Sequence, residues 1–194
     1  MSDPESVLLQ LDALPLMFPT DWSSDGRYIT YFRTDAKTQL DQWVLPLFGD
    51  RKPFPYAHGP SNESQGQFSP DGKWMAYVSD ESGTDEIYVA SLPTPGGLRL
   101  VSTGGGNRPR WRRDGQELFY IASDHKLMAV SVKTGATFAA GTPRALFETK
   151  VPNLVLSQSY SVSADGQRFL LTAPLDVPST PLTLIQNWTA GLNK

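Results

Sequence analysis

The apolar positions of this chain come in short runs separated by turn residues. Runs such as WMAYV (residues 74–78) and EIYVASL (86–92) are rich in β-branched and aromatic side chains and have the length of a strand. No stretch keeps the three-and-four spacing of an amphipathic helix. Gly and Pro, 16 of each, cut the chain into pieces too short for long elements. WMAYV is apolar at nearly every position, which predicts a strand buried on both faces. Strict alternation would instead predict a sheet with one wet face.

The pattern repeats. WSSDGRYITY (22–31), FSPDGKWMAY (68–77), WRRDGQELFY (111–120) and VSADGQRFLL (162–171) share one frame. It runs bulky apolar, two variable positions, Asp-Gly, a polar residue, any residue, then an apolar run. The Asp residues, Asp25, Asp71, Asp114 and Asp165, lie 46, 43 and 51 residues apart. A second strand-like run follows each copy, at 41–47, 85–92, 125–132 and 181–188. A shorter one often comes next, as at 98–102 and 144–150. In Ser69-Pro70-Asp71-Gly72, Pro70 suits the first corner of a type I turn and Asp71 caps it through its carboxylate. Gly72 is free to take the left-handed conformation. The motif predicts a three-residue hairpin with a bulge, joining the first two strands of a unit. Asp25-Gly26, Asp71-Gly72, Asp114-Gly115 and Asp165-Gly166 are then structural turn residues.

Four-stranded units of this length, buried on both faces, predict the blades of a β-propeller, because a lone blade cannot cover its own faces. The expected fold is all-β, one domain with units at about 20–56, 65–102, 107–149 and 158–188. VLLQL (7–11) stands where an outer fourth strand would, and the last unit supplies only three strands. Three arrangements fit this count. Residues 7–11 complete the last blade and close a small ring, which removes exposed sheet edges. Alternatively, the chain is part of a larger propeller, or two copies combine into one ring. Four blades is the small end of the propeller range, which favours the larger ring.

At this point the residues resemble a family. FSPDGKWMAYVSDESGTDEIYVASLP (68–93) is similar to the WD40-like PD40 repeat of TolB-type propellers in its order of aromatic, SPDG, strand, SDESG and EIYV. The other copies lose the Pro or the Ser and keep Asp-Gly. FPTDWSSDGRYITY (18–31), WVLPLFGDRKPFP (43–55) and LTLIQNWTAGLNK (182–194) look closest to the C-terminal propeller region of bacterial serine/threonine kinase-like proteins. Related repeats form the propeller that precedes the hydrolase domain of prolyl-oligopeptidase-type peptidases. The resemblance implies a parent ring of about six or more blades, often beyond a membrane segment.

Charge and composition narrow the chemistry. Net charge is −3 with no Lys/Arg cluster, which argues against a nucleic-acid footprint. The chain has no Cys, so disulfides and thiolate metal sites are excluded. The start is acidic with a short apolar run, unlike a secretory signal, and no run approaches a membrane span. The expected setting is extracytoplasmic if the parent is membrane-anchored and cytoplasmic otherwise. The Gly-rich loop, HRD and DFG motifs of a kinase and the GxSxG elbow of a hydrolase are missing. His58 and His125 read as loop or strand-start residues, and no cofactor or metal site is expected. The acidic segment 80–86 lacks EF-hand spacing and reads as a connector with a turn at Glu81-Ser82-Gly83.

What remains is a surface. The first strand of each blade lines the channel of a propeller. Here these strands carry Asn62, Glu63, Gln65, Gln67, Asn107, Arg108 and Arg110, with Ser159 and Ser161 in the last unit. Such residues bind a peptide or small anion, or simply hold channel water, which is the plainer reading. The expected function is a non-catalytic protein- or ligand-binding module of a larger bacterial signalling protein. The alternatives are the accessory propeller of a prolyl-oligopeptidase-type peptidase and a free-standing TolB-like periplasmic protein. A protein or peptide partner is expected, with self-association as one way to complete the ring.

Overall fold

The Asp-Gly turns fold alike because one small set of hydrogen bonds closes each of them. The computed structural model describes residues 16–151 and 160–172. In the second unit Gly72 N–H donates to Ser69 O at 2.9 Å, the mark of a type I turn. The Ser69 hydroxyl donates to Asp71 Oδ1 and accepts from Trp74 N–H, while Lys73 N–H donates to Asp71. The Asp25 and Asp165 turns repeat this pattern through Ser23 and Ser163. In the third unit Arg112 replaces the Ser, and its guanidinium grips Asp114 through Nε (2.7 Å) and Nη2 (2.8 Å). Gly26, Gly72, Gly115 and Gly166 all have φ near +70°.

One detail differs from expectation. Ser69 N–H donates to Trp74 O, so the loop spans four residues, 70–73, instead of three. The Ser69 carbonyl is occupied by Gly72, and the Ser69 hydroxyl takes its place on Trp74 N–H. A Cβ on Gly72 would meet no atom within 4 Å, so substitution there strains only the backbone. Gly72→Ala is expected to destabilise by about 1 kcal/mol in a denaturant melt. An unchanged midpoint would contradict the turn geometry.

The turns join strands into antiparallel sheets that follow chain order. The first contains β1 (Met17–Trp22), β2 (Tyr28–Asp35), β3 (Gln39–Pro46) and β4 (Phe54–Ala57). The second contains β5 (Glu63–Phe68), β6 (Trp74–Ser79), β7 (Glu86–Ser91) and β8 (Arg99–Leu100). The third runs from β9 (Gly106–Trp111) through β10 (Glu117–Ala122) to β11 (Lys126–Lys133). Its outer edge is shared. β12 (Ala139–Ala140), which the pattern did not predict, pairs one end of β11, and β13 (Arg144–Glu148) pairs the other. The fourth sheet begins with β14 (Tyr160–Val162) and β15 (Phe169–Leu171). The remaining predicted strands, 7–11 and 181–188, lie outside the described residues, as does Ser159. This is an all-β fold of propeller-type blades.

Every residue of β6 is buried, as two-faced burial requires. Met75, Tyr77, Tyr88 and Ala90 pack toward the first blade, against Val44 and Tyr56. Ala76, Val78, Ile87 and Val89 pack toward the third, against Leu118 and Tyr120. Phe119, Ile121, Leu127 and Ala129 then meet Tyr160 and Phe169 of the fourth. The core is thus a series of seams between blades, each made by alternate side chains of neighbouring sheets.

Candidate ligand-binding face

The inner strands do not run straight. β5 bulges between Ser64 and Gln67, and β9 between Asn107 and Arg110. At each bulge a residue six before the turn Asp takes a left-handed backbone, Gln65 at φ 58° and Arg108 at φ 56°. For residues that are neither Gly nor Asn this conformation costs on the order of 1 kcal/mol. The surrounding bonds hold it. Arg108 N–H donates to Gln65 Oε1 at 2.6 Å, Arg108 Nη1 to Asn107 Oδ1 at 2.6 Å, and Tyr160 Oη to Arg108 O at 2.8 Å. The bulge therefore aims both side chains at the seam between the second and third blades.

A pocket of about 290 Å³ opens there, lined by Gln65, Asp85, Gly105, Asn107, Arg108 and Ser123 among others. Its wall is built by buried Glu86. That carboxylate accepts from Gly105 N–H at 2.9 Å and from the Ser102 hydroxyl, which in turn accepts from Ile87 N–H at 2.7 Å. Gly106 N–H donates to Asp85 O at 2.8 Å, and Ser123 Oγ to Gly104 O. A Cβ on Gly105 would lie 2.8 Å from Ser123 Cβ, and one on Gly106 2.9 Å from Ser102 Cβ. Gly105 and Gly106 are needed because the loop passes this close to its supports, and Gly104 because its φ is +78°. At the rim, partial desolvation raises the Asp85 carboxyl above its ordinary value, helped by Asp80. Glu86→Gln keeps the size and removes the charge that strengthens two of these bonds. It is expected to cost about 1–2 kcal/mol and to speed amide exchange at Gly105 and Gly106. Unchanged exchange there would show that Glu86 does not hold the loop.

The structure separates the residues expected on the channel. Gln65, Asn107 and Arg108 line this one pocket. Asn62 instead binds Asp80, with its N–H on Oδ1 at 2.8 Å and its side-chain amide on Oδ2 at 2.7 Å. Glu63 and Gln67 are buried. Gln67 Nε2 donates to Thr20 O of the first blade at 2.7 Å, and Gln67 O accepts from Trp111 Nε1 of the third at 3.1 Å. Asp21 joins the same chain of bonds by accepting Phe68 N–H at 2.9 Å. Arg110 stands over the Tyr160 ring, 5.6 Å from its centre, and donates to Pro109 O. Burial lowers its guanidinium pKa, while Tyr160 and Asp21 oppose the shift. Ser161 is exposed on β14. Asp85 and Glu86 were read from the sequence only as part of the acidic connector 80–86, and Ser102 was not singled out. The signals they left were an acidic residue at the head of an apolar strand and a run of three Gly. The left-handed Gln65 and Arg108 left none, since neither residue type favours that conformation.

No protein-family model matches this chain. An uncharacterised peptidase of Bacillus subtilis, YuxL, is 24% identical over 110 residues, which cover 53% of this chain and 16% of the relative. Among solved structures, TolB from Acinetobacter baumannii superposes with a TM-score of 0.59 at 19% identity, over 84% of this chain and 39% of its own. A putative TolB from Agrobacterium tumefaciens gives 0.57 at 17% identity, over 71% of this chain and 50% of its own. A puromycin-hydrolysing peptidase of Mycobacterium tuberculosis gives 0.56 at 18% identity, over 78% of this chain and 27% of its own. The chain spans half or less of each of these proteins. At such identities the likeness establishes a TolB-like, propeller-type fold.

Proposed function

We propose that this chain is a non-catalytic binding section of a propeller that serves peptidase chemistry carried outside it, with short peptides as its ligands. The observation that carries this reading is the pocket between the second and third blades. Gln65 and Arg108 are held in unfavourable backbone conformations at its wall, and such strain gathers at functional sites. Its lining offers amides, a carboxylate, a guanidinium and hydroxyls, which suit the alternating donors and acceptors of a peptide. The sequence likeness to YuxL supports the peptidase context.

The test combines two measurements on this chain alone. Incubation with aminoacyl and dipeptidyl p-nitroanilides should release no nitroaniline. Titration with a defined set of tri- and tetrapeptides should shift the amide resonances of Gly105, Gly106, Asn107 and Arg108. Hydrolysis that survives repurification would overturn the non-catalytic part. Shifts absent, or confined to other blades, would overturn the pocket. A second reading, a TolB-like protein that engages protein partners outside the cytoplasm, is favoured by the 84% of the chain that superposes on the Acinetobacter TolB. The expected tie to a kinase-like receptor draws no support from the relatives named above.

A further inference from the structure

The repeat allows the second seam to be compared with the first. Six residues after the turn Asp, Tyr77 and Tyr120 hold equivalent places on the faces that meet the preceding blade. Cross-strand register extends each into a row: Tyr77, Tyr88 and Leu100 in the second blade, and Tyr120, Met128 and Ala145 in the third. Rings fill the first seam here. Tyr88 stacks on Tyr77 at 6.1 Å between centroids, and Tyr56 of the first blade meets Tyr77 edge-on at 6.0 Å. In the second seam Met128 stands in the place of Tyr88. Val101, which follows the residue opposite Tyr88, stands in the place of Tyr56, which follows the residue opposite Trp43.

The outer strands differ in the same way. β4 has four residues and β8 only two. β8 stops where the Ser102 hydroxyl, in place of a backbone carbonyl, accepts Ile87 N–H at 2.7 Å, and the chain then crosses to β9. A slot of about 440 Å³ lies at the outer half of this seam. Half-buried Ala122 and Met128 and exposed Ala145 form its accessible floor, flanked by Thr103 and Gly104 of the β8–β9 connector and by Pro143. The two charged side chains along it, Lys126 and Asp124, pair with each other at 2.7 Å. The slot adjoins the pocket described above: Ser123 lines both, and its hydroxyl on Gly104 O marks the boundary. From β9 at the pocket to β13 at the slot is three strand spacings, roughly 14 Å, the span of about four extended residues.

We propose that this slot is a subsite for an aromatic side chain, which anchors the peptide whose main chain lies in the adjoining pocket. The preference for a ring stands on the slot's own lining, and its service to a peptide rests on the reading of the pocket given above. The accessible floor is apolar, and a thioether such as that of Met128 packs favourably against an aromatic ring. Its charged neighbours satisfy each other, so the slot offers a charged side chain no partner that is not already engaged. The first seam shows what this kind of face accepts, since there the chain itself supplies the Tyr56 ring. A residue at one end of a tetrapeptide reaches the slot while the rest lies along the pocket.

Two sets of probes, titrated into the whole chain and followed by NMR, test this. N-acetylphenylalaninamide should shift the Met128 methyl and the Ala122 and Ala145 amides saturably, and N-acetylalaninamide should not. Phe-Gly-Ser-Gly or Gly-Ser-Gly-Phe should bind at least about tenfold tighter than the same peptide with Ala for Phe, and should shift Met128 together with the Gly105 to Arg108 amides. Ala145→Trp, at an exposed position, should fill the slot and abolish the preference for Phe while the shifts at Gly105 to Arg108 remain. Equal affinity for the Phe and Ala peptides, with shifts confined to Gly105 to Arg108, would overturn the subsite and leave the pocket standing. Shifts at Met128 with none at the pocket would support the ring subsite and overturn the peptide reading. No response at either place would overturn both. Should Ala145→Trp fail to fold, the comparison of Phe and Ala probes on the wild-type chain decides by itself.

Discussion

Glu63→Gln should make the protein more stable at mildly alkaline pH and flatten its stability profile between about pH 4.5 and 7. Glu63 opens β5, is 6% exposed, and leaves Oε2 without a hydrogen-bond partner. Its other oxygen is 3.5 Å from the Ser79 hydroxyl, a weak contact. Burial, reinforced by Asp41, Asp80 and Glu81, raises its pKa from 4.5 to about 7. Below pH 4.5 the carboxyl is protonated folded or unfolded and costs nothing. Between 4.5 and 7 the folded chain binds the extra proton, so stability falls as pH rises. Above 7 the folded state encloses a charge. The shift corresponds to a penalty on the order of 2–3 kcal/mol, which the neutral Gln does not carry. Asp21 and Asp85 are raised as well and slope the same way, so the informative quantity is the difference between wild type and variant. Parallel stability profiles for the two proteins, measured by denaturant melts across this range, would refute the assignment.

The second large effect lies at Gln42, which is fully buried in the first seam. Its Nε2 donates to Thr30 Oγ1 at 2.6 Å and to Tyr31 O at 2.8 Å, and its Oε1 accepts Gly66 N–H at 3.0 Å. One side chain thus satisfies groups on two blades at once. Gln42→Ala removes their partners and opens a cavity, at an expected cost of about 3–4 kcal/mol. The fit is tight from the other side. A Cβ on Gly66 would lie 2.8 Å from Gln42 Cδ, so Gly66→Ala should cost about 2 kcal/mol in the wild type. In the Gln42→Ala background that methyl enters vacated space, and the same change should cost about 0.5 kcal/mol or less. Additive effects in the double-mutant cycle would show that the two residues do not share the seam.

The hairpins were legible because their chemistry is local. Ser69, Asp71, Gly72 and Trp74 lie within six residues, and each supplies an atom that the turn needs. The third copy shows that the spacing matters more than the Ser, since Arg112 reaches the same carboxylate. The loop was one residue longer than expected because a hydroxyl could stand in for a carbonyl, which apolar patterning does not reveal. The pocket was half legible. Gln65, Asn107 and Arg108 were drawn from the inner strands, but the bulges that gather them are set by neighbouring blades. Glu63 and Gln67, polar and on those same strands, turned inward.

The sequence by itself determined the repeat, the turn that opens each unit and the strands buried on both faces, because these depend on residues close together in the chain. Only the tertiary structure decided which polar side chains serve the seams and which face the pocket. Gln42 meets Gly66 across 24 residues, Arg108 meets Gln65 across 43, and Tyr160 meets Arg108 across 52. Partners that far apart are selected by how the blades stack, and no local pattern records it.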